Sequence, residues 1–515
     1  MDFSVSGIKS LFSPPPVPPP PPPAPPPEAP VAAAPAAPAP VPVTAEPNAS
    51  PEGARKLADQ IFLQGDLANY KEQGDVSQRA VDNHDGAADL NALKQVQANE
   101  KLEHDALAKL PPAQQAQYKK LAKDVEDNPQ AHMALQVLLL EGKLTGDPKT
   151  LKPDGKGQTL LDGLAKVHDG PLDPTLDKKE LLGSLLRETA QPTTIKQGSR
   201  NTCTVTSLQI MTARSNPAEY VRIVAGMAAP AIGKDGKPGA TGTAPEVELA
   251  NGTHMVRQFG SGAEDGTGRS VSARLWQNNM MAFAASQTDP NATKIYNVRT
   301  GTFNDGENTL KEADGSDLTT ISDAELTTAE EAATGKKYAM ANRGGIQEDM
   351  IDQVKAVAAR KVAIDVDLGT GKFNKQGSES TQRVTVTGVA ADGTVTYKGA
   401  DGKEATMAAD KFRDRLHATY GHGPKAEPTL SMVTYDQKMV QSMQDGLKAN
   451  PGGVPVGLKW GEFKPDGTTD PMGHEILVTK IEGGRVFYSN PHGDQESMGQ
   501  QEFMNRIDAM SFQKP

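Results

Sequence analysis

The sequence lacks the features of three classes of protein: small disulfide-bonded secreted proteins, proteins that bind metals through several cysteines, and proteins with a membrane-spanning helix. Its 515 residues contain one cysteine, which excludes an internal disulfide and every zinc or iron–sulfur site that needs two or more thiolates. No run of about eighteen apolar residues is present, so no conventional transmembrane helix is expected. Aromatic residues make up 4% of the chain, which predicts modest cores and long solvated stretches. At roughly 100–200 residues per domain, the length predicts two to four folded units.

The charge balance and the N-terminus exclude further classes. Acidic residues outnumber basic ones by 65 to 54, for a formal net charge of −11. This argues against nucleic-acid binding by the whole protein, although a local basic patch is compatible with it. The first residues lack the basic cluster and apolar stretch of a secretory leader, so we expect a cytoplasmic location or export without a conventional signal peptide. Because no phosphate-binding or dinucleotide motif and no complete metal-ligand spacing occurs, we expect no cofactor and no metal.

Residues 1–52 are expected to form a disordered tail. From Pro14 to Pro51 the chain consists almost entirely of Pro, Ala and Val. Such a segment cannot bury a core and prefers polyproline II, so we expect a stiff spacer. A partner that binds PxxP motifs is the alternative, although the motif occurs here in every register and is not specific.

Residues 53–190 are expected to form a helical domain. Apolar residues recur at helical spacing around residues 102–110 and 118–125, and Pro111 and Pro112 separate the two runs. Three further helices are predicted over 128–140, 160–167 and 178–189. The pattern alone does not indicate what this block does.

The single cysteine occupies a position that suits a nucleophile. Cys203 precedes an expected helix over 204–213, and a thiol at a helix N-terminus faces the positive end of the helix dipole. This placement favours the thiolate, whose usual activating base is an imidazole. A buried structural cysteine is the alternative interpretation.

One histidine lies in a setting that suits such a base. Residues 473–491 are typical of a β-hairpin, with two β-rich runs around a Glu-Gly-Gly turn. If the turn centres near Glu482, His474 lies opposite Asn490 or within one residue of it, on the same face of the sheet. An asparagine oxygen there can accept the imidazole N–H and fix its tautomer. The side-chain amide of Gln197 and the backbone N–H of Cys203 would then stabilise an oxyanion.

The order of these residues resembles the papain-like cysteine peptidase superfamily, and the Gly-His…Asn-Pro pattern is most similar to its calpain-type branch. The resemblance covers parts of 191–515. It implies that Cys203 is the nucleophile, His474 the base, Asn490 the orienting residue and Gln197 an oxyanion donor. It also implies an α+β fold with the cysteine helix packed on an antiparallel sheet, and a protein or peptide substrate.

Further segments bear on the resemblance. Residues 272–284, with Trp276, resemble the later Trp-bearing helix of the family, and Gly344-Gly345 resembles a calpain-type glycine pair. Two positions differ from the family pattern: Thr204 stands where an aromatic residue usually follows the cysteine, and His492 stands where a tryptophan usually shields the His–Asn bond. These differences leave transamidation, deamidation or hydrolysis of another amide as alternatives to peptide cleavage.

The C-terminal part contains an internal similarity. Residues 343–417 and 432–510 both follow the order helix, strand, hairpin, helix. Aligning them puts Gln382 and Lys398 at the positions of the base and the orienting residue, so we interpret the first copy as a degenerate, non-catalytic half. Chance similarity between two helix–strand segments is the alternative.

We therefore predict a disordered tail, a helical domain over 53–190 and a papain-like α+β domain over 191–515, with a Gly-rich insertion at 231–270 that covers the cleft. Since zymogens of the family carry helical prosegments, the helical domain is a candidate inhibitory block, or else a targeting or partner-binding block. The competing hypothesis is a non-enzymatic protein whose C-terminal domain serves only as an interaction scaffold.

Overall fold

The computed structural model describes most of the chain after residue 47. The described ranges are 48–73, 86–146, 157–235, 237–239, 242–288, 294–312, 314–360, 363–375, 377–421, 433–470 and 473–513. The expected disordered tail therefore lies outside the described residues except for its last five positions. There Asn48 donates its backbone N–H to the Ala98 carbonyl and a helix begins at Pro51.

The described residues form an α+β fold with fourteen α-helices. They are α1 (Pro51–Gln73), α2 (Gly86–Leu107), α3 (Pro112–Asp124), α4 (Pro129–Leu140), α5 (Leu160–Asp169), α6 (Lys178–Ala190), α7 (Cys203–Ser215), α8 (Pro217–Met227), α9 (Val271–Thr288), α10 (Asp323–Thr334), α11 (Arg343–Ala359), α12 (Ala409–Asp414), α13 (Tyr435–Ala449) and α14 (Gln500–Arg506). None of them is both long and apolar enough to cross a membrane, as far as the described ranges extend.

All strand pairs among the described residues are antiparallel. The strands are β1 (Ala231–Ile232), β2 (Pro238–Gly239), β3 (Glu246–Glu248), β4 (His254–Val256), β5 (Ile295–Asn297), β6 (Thr302–Asn304), β7 (Tyr338–Asn342), β8 (Ile364–Phe373), β9 (Glu379–Val389), β10 (Val395–Lys398), β11 (Glu404–Met407), β12 (Leu416–Gly421), β13 (Val433–Thr434), β14 (Val454–Lys459), β15 (Glu462–Phe463), β16 (Thr469–Asp470), β17 (Gly473–Glu482), β18 (Arg485–Asn490), β19 (Asp494–Gly499) and β20 (Ile507–Gln513). Two six-stranded sheets have the orders β11-β10-β9-β8-β12-β13 and β19-β18-β17-β14-β20-β7.

The helices predicted over 53–190 are present, and local signals explain their ends. Asn128 caps α4 by accepting the Ala131 N–H at 3.1 Å, and a proline follows it at the first helical position. A capping box between Thr159 and Asp162 starts α5.

The predicted boundary at residue 190 does not separate two cores. One hydrophobic cluster contains Leu138 and Leu186 of the helical block together with Val205 and Leu208 of α7 and Trp276 of α9. All five side chains are fully buried. The helical block therefore completes the core that supports the cysteine helix, because neither side of the expected boundary would bury its apolar face alone.

A second hydrophobic cluster lies within the two similar C-terminal segments. In each segment a long helix precedes four strands that pair in order, then a short helix and a strand that returns beside the first strand: β8–β11 and β12 in one, β14, β17–β19 and β20 in the other. The strand before each long helix pairs in the opposite sheet, since β7 joins β20 and β13 joins β12. The two segments thus exchange an edge strand and share one core.

The strand β17 belongs to both cores. Leu477 packs in the cluster that contains the cysteine helix, whereas Ile476 and Val478 pack in the second cluster. This follows from the period of a strand, because successive side chains point to opposite faces of the sheet.

The shared core predicts that the helical block and the cysteine helix unfold together. Leu186→Ala should lower the free energy of unfolding by about 2–5 kcal/mol, as is usual for a fully buried leucine. In a urea titration, the loss of helical circular dichroism and the alkylation of Cys203 should share one midpoint, shifted together by the substitution. The control Leu93→Ala, at a side chain that is 43% exposed, should change stability by less than about 0.5 kcal/mol. Loss of helicity while Cys203 stays protected would contradict the shared core.

Candidate active site

A tight loop leads into the cysteine helix. Gly198 has a φ of 59°, and a Cβ on it would lie 2.2 Å from the Thr267 carbonyl oxygen. Only glycine fits this position, since both the backbone conformation and the close approach exclude a side chain. The helix α7 then begins at Cys203, one residue before the predicted start.

A buried glutamine on α9 holds both sides of this loop. Gln277 accepts a hydrogen bond from the Thr202 hydroxyl at 2.9 Å and donates one to the Lys196 carbonyl at 2.9 Å. It also accepts from the Arg269 guanidinium at 3.1 Å and donates to Gln209 at 3.0 Å. Because Gln277 is fully buried, losing any of these partners would leave a desolvated polar group.

The hairpin β17–β18 brings His474 and Asn490 together, but in a register different from the predicted one. Leu477 pairs with Ser489. If this register is extended to His474, the residue opposite it is His492, two positions beyond Asn490. The turn contains only Gly483 and Gly484, both with positive φ, and a bulge follows Val478. Asn490 therefore reaches the imidazole diagonally.

The contact itself is short and buried. His474 Nε2 and Asn490 Oδ1 are 2.8 Å apart, and both residues are less than 10% exposed. The Asn490 amide donates to Glu496 Oε1 at 3.0 Å, and its Oδ1 also accepts the His492 backbone N–H at 3.2 Å. These bonds fix the amide with its oxygen toward the ring, so Nε2 carries the proton and Nδ1 is the basic nitrogen of the neutral imidazole.

Two aromatic rings cover the imidazole. The His492 ring stacks on His474 with centroids 4.8 Å apart and an angle of 7° between the planes. Trp460 contacts the same ring edge-on at 4.9 Å. His492 thus covers the imidazole from the position at which the family pattern has a shielding tryptophan.

Three contacts join the cysteine loop to the hairpin. The Gln197 backbone N–H donates to the Pro491 carbonyl at 2.9 Å. A Cβ on Gly493 would lie 2.4 Å from the Lys196 side chain, so the two loops touch. The backbone N–H of Glu475 lies close enough to the Cys203 thiol to favour its ionised form.

Among the described residues, no hydrogen bond joins the Cys203 thiol to the His474 imidazole. In the described part of the chain, the side-chain contact of the Cys203 sulfur is the Thr204 hydroxyl at 4.0 Å, and His474 bonds Asn490. The structure therefore places Cys203 beside the residue that follows His474. Apo sites often have looser catalytic contacts than substrate complexes.

The Gln197 side chain lies in the same loop and is buried. Its Nε2 donates to the Arg200 carbonyl at 2.9 Å, which uses one of its two N–H groups. Its Oε1 is buried without a hydrogen-bond partner among the described residues. Arg200 in turn donates to the Arg299 carbonyl at 2.6 Å and fixes the outer side of the loop.

Burial shifts both titrating groups toward their neutral forms. It raises the pKa of the Cys203 thiol, and the nearby N–H and hydroxyl donors only partly oppose this. It also lowers the pKa of His474, against the hydrogen bond that the ring donates to Asn490 and the charge of Glu496. The sequence predicts a thiolate–imidazolium pair from the helix N-terminus, whereas these directions favour a neutral thiol beside a neutral imidazole.

Two carboxyl groups near this site have raised pKa values: Glu475, which is partly buried, and Glu330, which is fully buried. Burial raises the pKa of Glu475 well above its ordinary value, and the charges of Cys203 and Glu330 add to the shift. Burial also raises the pKa of Glu330 to about 8, although Glu330 accepts a hydrogen bond from the Ser511 hydroxyl. Both carboxyls therefore stay protonated at pH values where exposed carboxyls are ionised, and they place no negative charge beside Cys203 there.

The Gly-rich insertion packs against the cysteine loop from one side, through Thr267 on Gly198. Its predicted hairpin is present as β3–β4, with His254 exposed as predicted. In the first of the two similar C-terminal segments, Gln382 occupies the position of His474. Gln382 pairs with Leu368 just as His474 pairs with Leu458.

Sequence reasoning did not identify Gln277, Glu496 or Trp460 as parts of the site, and no local motif marks them.

Among the described residues, no group of three or more His, Cys, Asp or Glu side chains is arranged to hold a metal ion. No protein-family model matches the sequence, and no curated protein matches it significantly.

The charge of Glu496 predicts a measurable effect on His474. Because this carboxylate raises the imidazole pKa against the larger effect of burial, Glu496→Gln should lower the His474 pKa further. Histidine NMR titration of the folded chain, with His474→Gln used for assignment, measures the shift. The control Glu482→Gln removes an exposed charge from the same hairpin and should leave His474 unchanged. Equal shifts in both variants would show that Glu496 has no specific role.

Glu330 predicts a pH dependence of stability. Its pKa is about 8 in the folded chain and near 4.5 when unfolded, so between these values the folded state keeps a proton that the unfolded state has lost. This contribution to the free energy of unfolding should therefore fall as the pH rises from about 4.5 to 8. Urea titrations of Glu330→Gln should show a flatter pH dependence than the wild type. Exposed Glu307→Gln should keep the wild-type slope, and a wild-type slope in Glu330→Gln would contradict the prediction.

Proposed function

We propose that the protein is a papain-like, cysteine-dependent amide hydrolase that acts on a protein or peptide. The observation that carries the proposal is the buried 2.8 Å contact between His474 Nε2 and Asn490 Oδ1, at a hairpin end that is bonded to the loop before Cys203. It fixes the tautomer that leaves Nδ1 free to accept a proton, as a general base requires.

The proposed reaction begins with a neutral pair. Cys203 attacks the substrate carbonyl carbon as its thiol proton passes to His474 Nδ1, and the carbonyl becomes an oxyanion. The backbone N–H of Cys203 and the second N–H of Gln197 donate to that oxyanion. His474 then returns the proton to the leaving amine as the C–N bond breaks, and a thioester remains on Cys203. Water, deprotonated by His474, hydrolyses this thioester and restores the thiol.

The helical block enters this proposal as part of the enzyme. Leu186 of α6 and Leu208 of α7 lie in one core, so removing the block would expose the helix that carries the nucleophile. The shared core favours a structural role for the helical block over the role of a removable prosegment. The Pro-rich tail remains a predicted partner-binding or spacer segment, because it lies outside the described residues.

A non-enzymatic scaffold is the second candidate. The raised pKa of the Cys203 thiol and the lack of a direct bond to His474 in the described structure favour it. In that function the surfaces of the two halves bind partners, and Cys203 is an ordinary structural thiol.

One experiment separates these functions. The full chain is incubated with a peptide library in H₂¹⁸O, with and without an added primary amine, and the products are identified by mass spectrometry. We expect new peptide termini that carry ¹⁸O, their loss in Cys203→Ala, and a decrease of about 10²–10⁴-fold in His474→Gln. Activity should fall on the acidic side below pH 6.5, as His474 takes up a proton through its lowered pKa.

A control variant and the type of product distinguish the candidate functions. His254→Gln removes an exposed histidine from β4 and should keep full activity. Amine adducts or glutamine deamidation without cleavage would indicate an acyltransferase or deamidase that uses the same residues. No product of any kind, with alkylation of Cys203 unchanged by His474→Gln, would reject the enzyme and favour the scaffold.

A further inference from the structure

Two adjoining cavities lie at the end of α7 opposite Cys203. Their volumes are about 380 and 800 Å³, and both are lined by Lys143, Ser215, Pro217 and Pro451. At 1.5 Å per residue, the helix separates them from the candidate nucleophile by about 18 Å. They therefore form a location distinct from the candidate active site.

The cavity walls carry an excess of positive charge. The smaller cavity has Arg55, Lys143 and Arg214, and the larger one adds Lys336. Glu141 is shared by Arg55 at 3.4 Å and Lys143 at 2.9 Å, so one carboxylate serves two cations there.

The remaining acidic groups do not neutralise this excess. Asp59 bonds Arg55 at 2.8 Å, and Glu219, in the wall of the larger cavity, bonds Arg222 at 2.6 Å. Within the described ranges, Arg214 and Lys336 have no carboxylate partner.

Arg214 is the residue best placed to bind an anion. Its side chain is exposed to the smaller cavity, yet protein surrounds it closely enough for burial to lower its pKa. No neighbouring carboxylate offsets that shift. A guanidinium in this setting gains from an oxyanion with two acceptor oxygens, which its planar donors bind side by side.

Two helices begin in the wall of the larger cavity. The wall contains Thr159 and Leu160 at the start of α5, and Asn216 and Pro217 at the start of α8. Each first turn also carries a carboxylate, Asp162 in α5 and Glu219 in α8, which offsets the positive end of the helix dipole, so the excess positive charge comes from the Lys and Arg side chains.

We propose that the two cavities bind a small anionic molecule that carries a phosphoryl group. Arg214 and Lys143 hold the phosphoryl oxygens, and the rest of the molecule extends into the larger cavity. The walls come from α7 and α8 on one side and from Pro451, Gly452 and Gln495 on the other. The bound anion thus bridges the part of the chain that carries Cys203 and the part that carries His474, and it stabilises their association. This site does not depend on the proposed hydrolase activity.

Pyrophosphate is the probe for this site. The full chain is titrated with pyrophosphate, and with sulfate at matched ionic strength, by calorimetry and by thermal unfolding. We expect saturable pyrophosphate binding with a rise in the unfolding temperature, and weaker binding of sulfate. Arg214→Gln should weaken the affinity by about 10–100-fold, as for the loss of a hydrogen bond between charged groups.

A matched control separates the site from general charge attraction. Lys398→Gln removes one exposed positive charge from β10 and should keep the wild-type affinity. Lys336→Gln, in the wall of the larger cavity, serves as a second test if Arg214→Gln alters the unfolding temperature without ligand. Absence of saturable binding by the wild type, or equal losses in Lys398→Gln and the cavity variants, would overturn the proposal.

Discussion

The candidate site depends on one strand that serves two cores. Along β17, Leu477 packs against the helices around Cys203, while Ile476 and Val478 pack in the core between the two similar segments. The pairing register of β17 is fixed by this packing, because a shift of one residue would exchange the side chains on its two faces. His474 stands at the start of this strand, so the packing of both cores sets the position of its backbone. The Gln197–Pro491 hydrogen bond then fixes the cysteine loop against the hairpin end.

Local signals predicted the elements of the site but not their exact registration. The helix at Cys203 and the hairpin after His474 follow from composition and period, and the His474–Asn490 contact follows from both residues facing the same way. The pairing was wrong by two positions, because a turn of only Gly483 and Gly484 and a bulge after Val478 alter the register. Other turn types and other bulge positions are compatible with the same sequence, so the pattern does not predict which turn or bulge forms.

Contacts between distant segments could not be predicted at all. Gln277 reaches the cysteine loop from a helix more than seventy positions away, and a buried glutamine looks in sequence like any polar residue of a helix face. The shared core of the helical block and the cysteine helix could not be predicted for the same reason. Periodicity shows that α6 and α7 each have an apolar face, but not that the two faces, with Leu186 and Leu208, join one core. The similarity of the C-terminal segments was visible in sequence, whereas the exchange of β7 and β13 was not.

Electrostatics links these packing constraints to the chemistry. Both Cys203 and His474 lie where burial favours their neutral forms, and the raised pKa values of Glu475 and Glu330 keep those carboxyls neutral as well. A resting ion pair would therefore lose more by desolvation than the helix dipole returns. If Cys203 is the nucleophile, its proton must leave during the attack itself. Rate then depends on how well the imidazole is aimed, which gives a physical reason for the enclosure of His474 by Asn490, His492 and Trp460.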